Sequence, residues 1–96
     1  MKVATLVTGK VSPARKKEFE EGYSFIKTSS LPQGLERSFL LKSTDDPETY
    51  TIETIWSSRE VLDAMRSSGK PRAVALFEQV GVSPKVEIHE VLETVP

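Results

Sequence analysis

Trp56 is the only tryptophan in the sequence, and it closes the run YTIETIW immediately before SSREVLDAM. An indole at a strand end can line an aromatic pocket and donate one hydrogen bond. It can equally be the largest plug of a small core. Tyr50 and Thr54 share its strand parity, and Tyr23 brings a further hydroxyl from an earlier helical run. These four are the candidate walls of a substrate pocket, with core packing as the alternative. His89 is the only histidine, and an imidazole is the side chain best suited to act as a general base near neutral pH. Its parity partners Glu87 and Glu93 read instead as a solvated or interfacial polar face. Arg37 falls among Leu35, Phe39 and Leu41 on the apolar parity of LERSFLLKS. A guanidinium there could hold a phenolate or carboxylate, or pair with a glutamate at a subunit edge. His89 and Arg37 are therefore the candidate groups for handling charge.

Other chemistries lack their residues. There is no cysteine and no second histidine, so no metal site is expected. No phosphate-cradling glycine loop, nucleophile elbow or H-E-x-x-H run is present, and no cofactor is expected. Lys and Arg number 13 against 14 Asp and Glu, a net charge of −1, and form no long basic run. Nucleic acid is thus not an expected partner. Met1 leads straight into a strand-like run, and no apolar stretch has membrane length. A cytoplasmic protein without membrane association is the expectation. The 96 residues fit a single domain, 1–96.

The elements that must position these residues can be read along the chain. Residues 2–9 alternate as a strand. In VSPARKKEFEEGYSFIK, Ser12 suits an N-cap and Pro13 the first helical position. Phe19, Tyr23 and Ile26 then share one helix face, which Gly22 interrupts. SSLPQG is a turn, LERSFLLKS a second strand, TDDPET a connection and YTIETIW a third strand. Ser57 and Glu60 have the form of a capping box, followed by Val61, Leu62 and Met65 on an apolar side. Gly69 and Pro71 divide this helix from another carrying Ala73, Leu76, Phe77 and Val80. KVEIHEVLETV is the last strand, with a change of apolar parity between Ile88 and Val91 that suggests a bulge.

The order β-α-β-β-α-β, with the second helix in two pieces, predicts a ferredoxin-like α+β fold with an antiparallel sheet. Helices on one side alone would leave alternating strands with a polar outer face. Here Val3 and Val7 oppose Ala4 and Leu6, and Ile55 opposes Ile52 and Trp56. The simplest cover for the second face is the sheet of another copy, which predicts a homodimer.

This layout resembles the antibiotic biosynthesis monooxygenase (ABM) type domains of the dimeric α+β barrel superfamily over nearly the whole chain. The resemblance rests on length, element order, YTIETIWSSREVLDAMRSSGKP and the closing SPKVEIHEVLETV. It implies a homodimer with sheets face to face and a pocket between each sheet and its own helices. It further implies oxidation of a small aromatic, hydroquinone or polyketide-like compound by dioxygen without metal or flavin. The chain departs from that pattern at two positions. Thr54 stands where many members carry glutamate, while Glu53 lies on the opposite strand face. Met65 stands near the place of a common histidine. The sequence also has no asparagine, which reads against the haem-degrading branch. The alternative expectation is a non-catalytic ligand-binding or assembly module on the same fold.

Overall fold

Period-two alternation in TYTIETIW gives a strand whose even-numbered residues are buried: Tyr50, Ile52, Thr54 and Trp56. A computed structural model describes residues 1–96. Its elements are β1 (Val3–Lys10), a 3-10 turn (Pro13–Arg15), α1 (Lys16–Lys27), β2 (Leu35–Lys42), β3 (Thr49–Trp56), α2 (Arg59–Ser67), α3 (Arg72–Gln79) and β4 (Lys85–Glu90). The four strands form one antiparallel sheet in the order β2-β3-β1-β4. This is the ferredoxin-like α+β architecture expected from the element order.

The helices cover one face of the sheet, and they bury two separate apolar clusters against it. The larger joins Val7, Tyr50 and Ile52 of the sheet to Phe19 of α1 and Phe77 of α3. Phe19 lies at its centre, with ring centroids 4.6 Å from Phe77 and 5.0 Å from Tyr50. A fully buried side chain of this size contributes about 1.5–3 kcal/mol over an exposed one. The smaller cluster is Val3, Trp56 and Leu62, at the end of the sheet where α2 begins. Gly22 explains how α1 and α3 pack so closely. A Cβ there would lie 2.5 Å from Leu76 Cδ1, so a larger residue would push that side chain aside, which offsets glycine's low helix propensity.

Four local features differ from the sequence reading. Ser12 makes no side-chain cap, and Pro13 opens the 3-10 turn rather than α1, which starts at Lys16. The α2 cap is Ser58, whose Oγ accepts from the Val61 N–H at 3.1 Å, not Ser57. The Ser57 N–H is already committed to the Gly34 carbonyl at 2.9 Å.

The second strand is also less regular than its pattern. Leu35 pairs with Trp56 while Arg37 pairs with Ile55, so Glu36 is an extra residue in β2. Such a bulge exchanges the two faces. Leu35 faces the helices, but Arg37, Phe39 and Leu41 face the other way, and Ser38 and Leu40 turn inward beside Thr54 and Ile52.

The last strand stops at Glu90 instead of running to Val95. Its partner β1 begins at Val3, and one further bond, Val91 N–H to the Lys2 carbonyl, uses up the available backbone. The parity change is thus the end of pairing, not a bulge, and Leu92 and Val95 are left exposed.

Candidate active site

The two apolar clusters leave a space between them. A cavity of about 830 Å³ lies between the sheet and the helices, within the roughly 300–1,000 Å³ typical of small-molecule sites. Strand register decides what forms its floor. Ser38 on β2, Thr54 on β3 and Thr5 on β1 are direct cross-strand partners, so three hydroxyls lie in one row on the helix-facing side. Thr5 and Thr54 are buried.

This row is hydrogen bonded to the aromatic groups around it. Trp56 Nε1–H donates to Thr5 Oγ1 at 3.1 Å. Tyr23 O–H, from α1, donates to Ser38 Oγ at 2.8 Å, and Thr54 Oγ1 donates to the same atom at 3.4 Å. Every buried side-chain polar atom has a partner. The indole can only donate, so it occupies a lone pair of Thr5 and leaves that hydroxyl hydrogen to turn elsewhere. Ser38 is in the same position, because it accepts from two neighbours. The floor therefore offers neutral donors to an oxygen atom entering the cavity.

Of the residues expected to form the pocket, Trp56, Tyr23 and Thr54 do meet at the cavity. Tyr50 does not reach it. Its ring packs on Phe19 in the larger core, and its hydroxyl donates to Glu20. Burial first, then the Glu20 hydrogen bond and negative charge, push the Tyr50 pKa up to about 12. His89 lies on the outer face of β4, exposed, with Nε2 3.7 Å from Glu87 Oε1. Arg37 touches the cavity rim, but its guanidinium carbon lies 6.0 Å from the Phe39 ring centroid on the outward side of the bulge.

Thr5 and Ser38 were not among the sequence candidates. Thr5 shares the parity of Val3 and Val7, which could have marked it as a hydroxyl on a buried face. Ser38 was hidden by the bulge, since simple alternation from Leu35 turns it outward. No group of three His, Cys, Asp or Glu side chains comes together in the structure. No helix is long and apolar enough to cross a membrane.

No protein-family model matches the sequence, and no curated protein matches it either. Solved structures do resemble the chain throughout. A candidate antibiotic biosynthesis monooxygenase from Deinococcus radiodurans superposes with a TM-score of 0.79 at 14% identity, covering 98% of this chain and 96% of that one. A variant of SnoaB, a cofactor-independent oxygenase from Streptomyces nogalater, gives 0.77 at 19% identity, covering 99% and 97%. Rv0793 from Mycobacterium tuberculosis gives 0.74 at 19% identity, and each chain is covered completely. The chain therefore has the fold of the ABM-type proteins. At such identities the likeness concerns the backbone, and the chemistry must be argued from the cavity itself.

Proposed function

We propose that this chain is a homodimeric monooxygenase that uses no cofactor and acts on a small electron-rich aromatic, a phenol of hydroquinone or polyketide type. The observation that carries this reading is the row of Ser38, Thr54 and Thr5 hydroxyls beneath Trp56 in an otherwise largely apolar cavity. An aromatic ring packs against the indole, and its phenolic oxygen meets the hydroxyl donors. Fixed donors in a water-poor site favour the anion over the neutral phenol. The phenolic proton leaves to solvent through the cavity mouth.

In a substrate whose carbon para to the phenolic oxygen carries hydrogen, the phenolate passes one electron to dioxygen, and superoxide recombines with that carbon. The C–O bond forms there, the resulting peroxide anion takes one proton back from solvent, and water then departs from the hydroperoxide with the para hydrogen as the second C=O forms. One oxygen atom enters the quinone, and the other leaves as water carrying the para hydrogen and the proton returned from solvent. The chain's residues bind, orient and stabilise charge, and the substrate supplies the electrons.

The cavity floor holds no carboxylate or imidazole, and this favours a second reading, a ligand-binding module without turnover. Isotopically heavy dioxygen separates the two. Appearance of one heavy atom per quinone supports the monooxygenase. Retention of the phenol unchanged, with the protein saturated, supports the binding module.

The homodimer rests on the outer sheet face, where Phe39 is 39% and Leu41 44% exposed beside Ile55, Ala4 and Leu6. A second copy of this face is the cover that gives the apolar strands a partner.

A further inference from the structure

The chain carries slightly more acidic than basic residues, yet the charged residues at the cavity rim are Lys27, Arg37, Arg66, Lys70 and Arg72 against the single carboxylate of Glu36. Most of these are already engaged. Glu36 pairs with Lys2 at 2.6 Å, and Lys70 with Glu78 at 2.5 Å. Arg72 Nη1 donates to Ser29 Oγ at 3.0 Å, and Arg37 lies over Phe39. Lys27, in the last turn of α1, and Arg66, in the last turn of α2, make no ion pair and no side-chain hydrogen bond. Two free cations on separate helices thus border the same opening, above a floor of neutral donors.

We propose that the substrate is an anion: an aromatic acid whose ring lies against Trp56 and whose carboxylate is held at the mouth by Lys27 and Arg66. This deepens the aromatic-cavity reading above and rests on it. A neutral floor selects ring and phenol, while the cationic mouth fixes which end points outward. The phenolic oxygen is then directed to Ser38 and Thr5, so the mouth sets the orientation in which the ring meets dioxygen. Charge at an exposed rim is screened by salt, which gives the proposal a signature that apolar contacts lack.

The test is calorimetric titration of the 96-residue chain with a hydroxynaphthoate and with its methyl ester, which has the same rings without the charge. The native protein is expected to bind the acid about fivefold more tightly at low salt, the scale of exposed ion pairs. That preference is expected to vanish in the Lys27→Gln/Arg66→Gln double variant and in high salt, with ester affinity as the internal control. Equal affinity for acid and ester, or a preference that survives both changes, overturns the charge assignment and leaves the aromatic cavity standing. Binding of neither compound overturns the cavity reading and this inference together.

Discussion

The indole nitrogen of Trp56 donates to the Thr5 hydroxyl at 3.1 Å across a sequence separation of 51 residues. That bond ties the end of β3 to the opening of β1 and fixes the ring that borders the cavity. Replacing Thr5 by valine keeps the shape and removes the acceptor. The buried N–H is then orphaned, at a cost of about 1–3 kcal/mol. Urea unfolding is expected to show that loss for Thr5→Val and little of it for Thr5→Ser, which restores the oxygen.

Gly34 carries a second constraint at the same end of the fold. Its φ is +87°, and an added Cβ would lie 2.0 Å from Val61 Cγ1. Gly34→Ala combines left-handed backbone strain with overpacking, together about 2–5 kcal/mol. A large drop in melting temperature is expected, with partial recovery when Val61→Ala removes the obstructing methyl groups.

Tyr50 gives an alkaline signature. Its folded pKa is raised to about 12 from an ordinary value of 10.0. The unfolded chain therefore loses the phenolic proton first as pH rises. Stability from this group is complete below the unfolded pKa and is lost as pH climbs toward the folded one. Tyr50→Phe is expected to be less stable at neutral pH but flatter between pH 10 and about 12, as followed by denaturant midpoints. An unchanged alkaline slope would remove Tyr50 as its source.

The outer sheet face predicts a dimer at micromolar concentration by sedimentation velocity. Phe39→Lys places a charge among the apolar residues of that face, on the edge strand β2, without touching the helix side. It is expected to yield folded monomer, read from sedimentation together with an unchanged circular dichroism spectrum. Native protein that sediments as monomer would refute the dimer.

How far these features were legible depended on local regularity. The parity of β3 was readable because the strand is central and alternates without interruption, so Trp56 and Thr54 fell on the correct face. In β2 the extra residue Glu36 reversed everything after Leu35, and no residue type in LERSFLLKS marks that reversal. At the α2 start two adjacent serines competed, and the Gly34 carbonyl decided between them by taking the Ser57 N–H. Tyr50 illustrates a different limit. It shares a face with Trp56, but six residues of strand separate them by roughly 20 Å, so common parity did not mean a common site. The hydroxyl row required knowledge of register across three strands, which a single sequence does not contain.

The neutral floor also bears on the only histidine. His89 is on the sheet face away from the cavity, and His89→Ala is expected to leave turnover unchanged. The rate should instead follow ionisation of the substrate phenol. A marked loss of turnover in the folded variant would return His89 to the mechanism.

The most direct measurement is dioxygen consumption by the purified protein given a panel of phenols and hydroxynaphthoates, with Thr54→Val and Trp56→Phe proteins run beside it. We expect uptake above buffer, with one dioxygen consumed per quinone formed, and a fall of at least about tenfold in both variants while each remains folded. A native protein that binds these aromatics and consumes no dioxygen above buffer would contradict the oxygenase assignment.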